Sequence, residues 1–402
     1  MKVVQINAVY EYSSTGRTTT ELHEYLQKNG IDSYVFCCNK SIPEKNVFRM
    51  GNKWDFKLHS LLSHLFGLQG FFSYFSTRRL IQHLDKISPD IVHLRVLHSN
   101  CVNLPLLLKY IAKRNIATVI TLHDCWFFTG HCCYFIDSKC DKWKDKCGNC
   151  PDLKTWNSSW FIDNTQFILK KKKELFGNIK NLAVVGVSDW VTSFIPHSIL
   201  KEAKHVTRIY NWIDINKFTP KDTTDLRKKL SLEGKFVVLG VAQNWYSTKG
   251  LKDFILVAQR NPEIIFVLVG NIITNDILPK NIISVGVLSD VNELVAYYSM
   301  ADVLFNPSIR ETFGKVTLES IATGTPIVAY NATATPEIVA DGCGYVIEIG
   351  DLEEADRCFN LIRARTKSSY IQACRQHAKK NFSKENIVKE YISLYERLQP
   401  SK

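Results

Sequence analysis

Two glutamates eight positions apart, Glu311 and Glu319, bracket the segment of the sequence best suited to chemistry. The segment follows an apolar run and begins an amphipathic helical pattern, with Gly314 at the turn. Backbone N–H groups at such a helix start suit a phosphate, and two carboxylates beside it can hydrogen-bond sugar hydroxyls. The same spacing is compatible with an ordinary capped helix that carries surface glutamates.

A second polar segment, from Asn244 to Gly250, follows another apolar run. Lys249 and Gly250 at a strand-to-helix turn can offer an ammonium group and a helix N-terminus to a diphosphate. A solvated lysine at a turn is the structural alternative.

Two further candidates lie in the first half of the chain. Gly16, in the polar run 13–17, would let the backbone approach a ligand closely. This run is not a G-x-G-x-x-G fingerprint, which disfavours a nicotinamide cofactor. His123 ends the run 117–122 and should face the edge of a parallel sheet where ligands bind. A plain turn at Gly16 and a structural histidine at His123 are the alternatives.

Five of the twelve cysteines lie between Cys132 and Cys150. In an intracellular chain of this length, such clustering indicates metal or redox chemistry before disulfides. Free or reversibly paired thiols and an iron–sulfur cluster are the other interpretations. We predict a structural zinc ion, with Cys125, Cys133 and His131 as alternate ligands to the preferred set, which is Cys132, Cys140, Cys147 and Cys150.

Short runs rich in Val and Ile alternate with helical patterns along the chain. The runs are 3–6, 33–37, 91–94, 117–122, 182–187, 236–242, 264–270, 283–287, 302–307 and 326–330. Continuous apolar strands separated by helices predict an α/β protein with parallel sheets covered on both faces. We expect two doubly wound, Rossmann-like domains that face each other across a cleft.

The chain length of 402 residues also favours two domains, because a single core stops growing near ~250–300 residues. The series of strands restarts after Asn211, so we place the boundary within 205–215. The predicted N-terminal domain is 1–208 and includes a cysteine-rich loop, 125–151. The predicted C-terminal domain is 209–402, and its last helical pattern, 384–398, is free to pack back on the N-terminal domain.

Basic residues outnumber acidic ones by 51 to 39, for a formal net charge of +12. This excess favours anionic partners: nucleic acid, anionic lipid or phosphorylated small molecules. With no apolar run of ~20 residues and no leader pattern, we expect a cytoplasmic protein. The segment 54–84 mixes aromatic, leucine and basic residues, which predicts either a surface for an anionic membrane or a pair of core helices. The basic run 170–173 is interpreted as a solvated helix face.

Taken together, these motifs resemble the glycosyltransferases of family 4, which are retaining nucleotide-sugar transferases of the GT-B fold. The similarity runs through PSIRETFGKVTLESIATGTPIVA at 307–329 and through 211–214, which is similar to the family's hinge motif. Within the family, TLHDCWFFTGHC at 121–132 and the cysteines after it resemble exopolysaccharide enzymes of the colanic-acid type.

The resemblance implies a role for individual residues. Glu319 would bind the ribose hydroxyls, and Glu311 would contact the transferred sugar. Lys249 would neutralise the diphosphate with help from backbone around Gly16 and Gly314. His123 would lie beside the reacting bond, so the predicted catalytic residues are His123, Lys249 and Glu311. The remaining predicted donor-binding positions are Asn244, Thr312, Phe313, Lys315 and Val316.

One departure from the family pattern concerns the arginine that usually precedes the Lys-Gly pair. This chain has 243–245 (Gln-Asn-Trp) there, so Lys249 carries more of the charge, or Arg310 or Arg17 substitutes. Fixed positive charge and helix dipoles can stabilise the departing diphosphate, so we expect no cofactor for catalysis.

The expected partners are a nucleoside-diphosphate sugar and a glycan or polyprenyl-diphosphate-linked acceptor, with peripheral contact to the inner face of the cell membrane. Bacterial surface polysaccharide biosynthesis is the implied process. Two alternatives remain open. One is a GT-B sugar-nucleotide epimerase, which has no sugar acceptor. The other is a non-enzymatic zinc-knuckle protein that binds nucleic acid, which the dispersed charge disfavours.

Overall fold

The computed structural model describes residues 1–38, 44–155, 158–274 and 277–399. Contacts divide the chain into two compact units. One runs from Met1 to Tyr210 and includes the chain from Val388 onward, and the other runs from Asn211 to Ile387. Each unit is built on a parallel sheet with helices between the strands, which confirms the predicted α/β class.

The first unit has a sheet of seven described strands, paired in parallel in the order β3-β2-β1-β4-β5-β6-β7. The strands are β1 (Lys2–Ile6), β2 (Asp32–Cys37), β3 (Val47–Arg49), β4 (Ile91–Leu94), β5 (Ala117–Leu122), β6 (Leu182–Gly186) and β7 (His205–Arg208). Every residue of β4, β5 and β6 is buried, because helices cover both faces of the sheet.

Local sequence signals account for several helix ends in this unit. The helices are α1 (Ser13–Lys28), α2 (Lys53–Phe66), α3 (Tyr74–Ile87), α4 (Leu104–Arg114), α5 (Thr165–Gly177) and α6 (Asp189–Thr192). Asn52 and Asp55 form a capping box at the start of α2, and Gly67 ends that helix with a left-handed φ of 62°.

The second unit has a sheet of six described strands in the order β10-β9-β8-β11-β12-β13. The strands are β8 (Val237–Trp245), β9 (Ile265–Ile272), β10 (Ile282–Gly286), β11 (Val303–Asn306), β12 (Ile327–Tyr330) and β13 (Gly344–Ile347). The helices are α7 (Thr224–Lys229), α8 (Leu251–Arg260), α9 (Val291–Met300), α10 (Lys315–Ala322), α11 (Leu352–Arg365) and α12 (Ser368–Phe382). Helix α13 (Lys384–Leu398) begins in this unit and belongs to the first unit from Val388. Phenylalanine rings from α8, β11 and α11 pack together against this sheet.

The order of the strands reverses at one point in each sheet, between β1 and β4 in the first and between β8 and β11 in the second. Ligands of open α/β sheets bind at the carboxyl ends of the strands at such a point. The segments that leave these ends are therefore the expected ligand-binding positions. They are the loops that follow β1 and β4 in the first unit, and those that follow β8 and β11 in the second.

Strand β8 continues to Trp245, three residues beyond the end predicted at position 242. Its pairing with β9 shifts register between Val241 and Asn244, so the strand bulges and then resumes. Trp245 is buried, and its indole N–H donates to the carbonyl of Val269 at 3.0 Å. Asn244, a predicted donor-binding residue, thus lies in a strand instead of a loop.

None of the described helices combines the length and apolarity that a membrane span requires. The leucines of the segment 54–84 are divided between two environments. Leu80 and Leu84 of α3 are buried, whereas Leu58 and Leu61 of α2 are exposed. The core interpretation is therefore correct for α3 and wrong for these positions of α2.

Candidate active site

Lys249 and Glu311 form an ion pair at the reversal point of the second sheet. Lys249 ends a 3-10 turn, Ser247–Lys249, directly after β8, and Glu311 lies in the loop that follows β11. The Lys249 Nζ to Glu311 Oε1 distance is 2.5 Å. Both side chains are partly exposed, at 33% and 17%, so a ligand can reach the pair. The structure thus brings two predicted catalytic residues together across 62 positions of sequence.

The two loops are joined to each other by hydrogen bonds. The N–H of Ile309 donates to the carbonyl of Thr248 at 3.1 Å, and Arg310 Nη2 donates to the Thr248 hydroxyl at 3.3 Å. Arg310 therefore lies beside the residue that precedes Lys249. Of the two arginines proposed to replace the family's missing one, Arg310 is the one that the structure puts at this loop, whereas Arg17 lies in α1 of the first unit.

Gly314 begins α10 with a left-handed φ of 94°, a backbone conformation that favours glycine. Glu311 N–H donates to the hydroxyl of Thr333 at 2.8 Å, which ties the start of this loop to the segment after β12. The Phe313 ring is 3% exposed and packs edge-on against Phe382, with ring centroids 6.0 Å apart. Phe313 therefore contributes packing through its side chain, and its role in donor binding stays a prediction.

The second carboxylate of the motif, on Glu319, lies in a different environment. Glu319 is 2% exposed, and the buried hydroxyl of Tyr298 donates to its Oε2 at 2.9 Å. The alternative of a surface glutamate is therefore wrong for Glu319. Its role in binding ribose stays a prediction, and Tyr298 is a partner that the sequence pattern did not reveal.

The other predicted donor-binding residues of this unit have local partners. Lys315 Nζ donates to the carbonyl of Trp212 at 2.9 Å. Asn244 Oδ1 accepts from Asn271 at 3.3 Å. Thr312 is buried, and Val316 is half-buried. None of these contacts tests their predicted role in donor binding.

In the first unit, His123 contacts a buried arginine that follows β4. Arg95 is 1% exposed, and its Nη2 donates to His123 Nε2 at 3.0 Å and to the Thr18 hydroxyl at 2.8 Å. Because a guanidinium only donates, His123 Nε2 must be the unprotonated nitrogen, and Nδ1 carries the proton. Arg95 is thus a positioning residue that sequence reasoning missed, although its place just after β4 was a usable signal.

Gly16 lies inside the first turn of α1, not in the loop before it as expected. It is buried, and a Cβ there would lie 3.3 Å from the backbone of Tyr10 and 3.4 Å from the side chain of Val9. Close packing of the helix start against its own preceding loop is thus one reason for glycine at this position. Thr18, half a turn later, links this helix start to Arg95 and through it to His123.

Each of the twelve cysteines, all within the described ranges, is a free thiol. The four preferred zinc ligands, Cys132, Cys140, Cys147 and Cys150, line a single cavity. Burial is the main cause that raises the pKa of Cys132 and that raises the pKa of Cys150 to about 12, and neighbouring cysteines contribute to both shifts. These thiols are therefore protonated near neutral pH unless a cation stabilises the thiolates.

A second group of potential metal ligands has its ligand atoms closer together than the four cysteines do. Within the described residues, one group of three, His98, Asp124 and Cys133, has its ligand atoms within 4.8 Å of one another. His98 Nε2 and Asp124 Oδ2 are 2.9 Å apart and form a hydrogen-bonded pair. The four predicted cysteines do not meet that mutual distance, so zinc binding there remains a prediction.

Lys172 departs from the interpretation of 170–173 as a solvated face. Its side chain is fully buried, and its ammonium donates to the carbonyls of Trp126 at 2.5 Å and Thr129 at 3.0 Å. The same Nζ lies 3.6 Å from the centroid of the Trp126 ring. The solvated interpretation is therefore wrong at this residue.

Comparisons with known proteins agree with this arrangement of two parallel sheets. The family description "Glycosyltransferase Family 4" matches residues 15–217, and "Glycosyl transferases group 1" matches residues 222–380. The first of these covers half of the chain. The chain belongs to glycosyltransferase family 4, as its motifs predicted.

Two curated relatives and a solved structure give the range of similarity. N-acetyl-alpha-D-glucosaminyl L-malate synthase of Bacillus anthracis is 26% identical over 54% of this chain and 62% of that protein. The putative colanic acid biosynthesis glycosyl transferase WcaC of Escherichia coli K12 is 22% identical over 99% of this chain and 100% of that protein. The chain thus spans less than two thirds of the first relative and the whole of the second.

The solved structure is Anabaena Alr3699/HepE in complex with UDP. It has a TM-score of 0.68 and 17% identity, and the match covers 99% of this chain and 100% of that one. At this identity the likeness demonstrates a shared fold, the two-sheet GT-B architecture that the family resemblance implied.

Proposed function

We propose that this protein is a retaining glycosyltransferase that moves a sugar from a nucleoside-diphosphate sugar to a lipid-linked glycan acceptor, in bacterial surface polysaccharide biosynthesis. The observation that carries the proposal is the Lys249–Glu311 pair, 2.5 Å apart at the reversal point of the second sheet. In a nucleotide sugar, one oxygen joins the anomeric carbon to the diphosphate. A cation for the diphosphate and a carboxylate for the sugar must therefore lie side by side, as these two do.

Similar proteins support both the donor and the product of the proposed reaction. The Anabaena neighbour is named as a complex with UDP, which supports a nucleoside-diphosphate donor. The Escherichia coli relative, which this chain matches from end to end, is named for colanic acid biosynthesis, which supports a polysaccharide product.

Lys249, Glu311 and the helix start at Gly314 have different roles in the proposed reaction. In the resting protein, Glu311 holds the Lys249 ammonium in place. When a donor binds, the Lys249 ammonium pairs with the diphosphate instead. Backbone N–H groups at the helix start at Gly314 also donate to the diphosphate. Glu311 then accepts hydrogen bonds from the hydroxyls of the sugar. Lys249 thereby stabilises the negative charge that builds up on the departing diphosphate.

In the transfer step, the bond between the anomeric carbon and the diphosphate oxygen breaks, and the sugar gains oxocarbenium character. The acceptor hydroxyl attacks the face that the diphosphate leaves, so configuration is retained. Its proton passes to the departing phosphate oxygen. Because Lys249 and the helix start supply fixed positive charge, this step is proposed to need no divalent cation, and turnover should survive chelation.

The test is incubation of the purified chain with a panel of nucleotide sugars and measurement of nucleoside diphosphate release with and without a glycan acceptor. Lys249→Ala and Glu311→Ala should each reduce turnover about 10²–10³-fold, the usual loss when one stabilising group is removed. Lys252→Ala, at an exposed position of the adjacent helix, is the matched control and should keep full activity. Unchanged turnover in both site variants would refute the assignment.

The same assay separates the epimerase alternative. A transferase releases nucleoside diphosphate in proportion to glycosylated acceptor. An epimerase acts without a sugar acceptor. Its product is the epimerised nucleotide sugar or the free epimerised sugar. Acceptor-independent product formation by the chain would therefore replace the transferase proposal with the epimerase.

An exposed aromatic face on the first unit supports a lipid-linked acceptor. Trp54, Leu58 and Leu61 lie at helical spacing along α2 and are 77%, 58% and 46% exposed. Lys57 Nζ lies 5.2 Å from the centroid of the Trp54 ring, so positive charge accompanies the apolar face. Aromatic and basic residues on one helix face suit the headgroup region of an anionic membrane.

This face continues beyond α2 onto the chain around Trp160. The N–H of Trp160 donates to the carbonyl of His64 at 2.7 Å, and the two rings stack with centroids 5.2 Å apart. Phe161, the next residue, is 75% exposed. The exposed apolar residues thus come from two separate segments. Large exposed apolar patches are uncommon on soluble proteins and indicate interaction sites.

Flotation with liposomes tests the membrane contact. The wild-type chain should bind anionic vesicles at low salt and bind neutral vesicles several-fold less, because basic residues accompany the apolar face. Trp54→Ser and Phe161→Ser should each weaken binding, whereas Ile277→Ser, at an apolar position 93% exposed in the second unit, should not. No binding of the wild-type chain at low salt would remove the membrane contact from the proposal and leave the transferase assay unaffected.

A further inference from the structure

The cysteine-rich segment after β5 lines a small, partly open cavity of a size and lining that suit a single ion. The cavity is lined by the four cysteines Cys132, Cys140, Cys147 and Cys150 together with His131. Its volume is about 10 Å³. Since roughly one water-sized sphere fills that space, the cavity is too small for an organic ligand.

His131 provides an independent sign that something binds in this cavity. The residue is 4% exposed, and within the described part of the chain its Nε2 atom is buried with no hydrogen-bond partner. A buried polar atom left unsatisfied costs about 1–3 kcal/mol, so proteins rarely retain one without a ligand or ion nearby. The unpaired nitrogen therefore points to a polar or ionic occupant of the cavity, beside which His131 is the alternate ligand to the four cysteines.

The turn between Cys147 and Cys150 favours a metal over other occupants. Gly148 and Asn149 have positive φ values of 130° and 45°, which fold the two intervening residues into a tight turn. Lys142 Nζ donates to the carbonyls of both turn residues, at 3.0 and 2.8 Å, and holds the turn. A Cys-x2-Cys pair on such a turn can present two thiolates to one ion.

We propose that this cavity binds one structural Zn²⁺ ion through the thiolates of Cys132, Cys140, Cys147 and Cys150. Four sulfur ligands suit the tetrahedral preference of zinc, and the cavity leaves no room for an added substrate. Binding draws the four sulfurs together from their present separations and displaces their protons. The site is independent of the proposed transferase chemistry, which uses other residues.

The closer group of His98, Asp124 and Cys133 is the competing metal site. Its histidine and aspartate already form a hydrogen-bonded pair at 2.9 Å. Because its histidine and aspartate already bond each other, this group has less to gain from a metal than a cavity lined by four cysteines.

The test uses the full chain, purified without chelator, with zinc counted by elemental analysis. We expect about one zinc ion per chain, as for structural sites that fold around the metal. Cys147→Ser and Cys150→Ser should lose the zinc, whereas Cys133→Ser should keep it. Zinc absent from the wild-type chain, or lost in Cys133→Ser and kept in Cys147→Ser, would overturn the proposal.

A measurement on the wild-type chain covers the case in which a cysteine variant fails to fold. Replacement of the metal by Co²⁺ should produce the near-ultraviolet band of thiolate-to-cobalt charge transfer and the strong visible bands of a tetrahedral site. Chelation should abolish these bands, expose four additional thiols to a thiol reagent, and lower the unfolding temperature. A cobalt spectrum of octahedral type, or no change in reactive thiols on chelation, would contradict a four-thiolate site.

Discussion

Lys172 is a lysine that the sequence pattern predicts to be solvated but that the fold buries. The lysine belongs to a run of four in α5, yet its side chain is fully buried between carbonyl groups and the indole of Trp126. Burial lowers the pKa of its ammonium from 10.5 to about 7, against the attraction of nearby thiols and Asp124. Its neighbour Lys171 instead pairs with Glu174 at 2.7 Å on the partly exposed face.

This pKa makes the stability contribution of Lys172 depend on pH. Above about pH 7, the unfolded chain holds a proton at this site that the folded chain has released, so the contribution to stability rises with pH. We expect the stability difference between wild type and Lys172→Met to change by up to about 1.4 kcal/mol per pH unit above neutral pH and to be constant below it. Denaturant unfolding of both proteins from about pH 6 to about pH 9 measures the difference.

Lys171→Met is the control for this prediction, because it removes a lysine from the partly exposed face of the same helix. Its stability difference from wild type should not vary with pH over the same range. A flat difference for Lys172→Met as well would mean that Lys172 keeps its charge throughout and that burial does not control its protonation.

Arg95 acts on His123 by fixing which ring nitrogen carries the proton. Its guanidinium donates to Nε2 at 3.0 Å and is held on its other side by Gln5 Oε1 at 3.2 Å. We predict that the ¹⁵N resonances of labelled His123 show an unprotonated Nε2 and a protonated Nδ1. Arg95→Met should redistribute the proton between the nitrogens, and Arg95→Lys should largely restore the original state. A protonated Nε2 in the wild-type chain would contradict this role.

At the scale of elements, the loop that carries Lys249 depends on a close approach at Gly250. The glycine has a φ of 74°, and a Cβ there would lie 2.3 Å from the carbonyl oxygen of Pro307. We expect Gly250→Ala to destabilise the chain by more than the ~1–3 kcal/mol of backbone strain alone, because the two loops must also separate. Donor turnover should fall as well, since the Lys249–Glu311 pair spans these loops.

Gly234→Ala is the matched control for Gly250→Ala. Gly234 has a similar φ of 67° with nothing within 4 Å of the added Cβ, so the substitution tests strain without a clash. Thermal unfolding and donor turnover of the two variants should be compared directly. Equal losses in both would mean that the approach to Pro307 does not hold the loop.

The elements that sequence patterns missed share one physical property. Strands β3, β7 and β13 were not predicted, and all three lie at sheet edges. They are only three or four residues long and partly exposed. An edge strand needs no continuous apolar run, because one side of it faces solvent. The central strands were predicted closely because burial on both faces leaves that run in the sequence.

At the scale of the whole molecule, helix α13 returns the chain to the first unit. Beyond Val388 its residues belong to that unit, where Tyr395 OH lies 2.7 Å from Nδ1 of the buried His93. The other ring nitrogen of His93 lies 2.7 Å from the hydroxyl of Thr121 in β5. The end of the chain thus completes the hydrogen bonding of two central strands.

We predict that Tyr395→Phe lowers the free energy of unfolding by about 1–3 kcal/mol, because it leaves a buried imidazole nitrogen without its partner. Tyr246→Phe, at a tyrosine 54% exposed in the second unit, should cost little. Limited proteolysis should place the new cleavage sites of Tyr395→Phe in the first unit. Equal stability of the two variants would show that the contact of Tyr395 with His93 does not support this unit.

The sequence by itself determined the α/β class, the central strands and the identity of Lys249 and Glu311 as candidates. Each of these rests on a local pattern: a run of apolar residues, or a polar residue at a strand end. Only the tertiary structure decided that Lys249 and Glu311 form a pair, that Glu319 is buried with Tyr298, and that Arg95 contacts His123. The physical reason is that partners separated by 21 to 62 positions meet only when strands and helices pack, which no local pattern records.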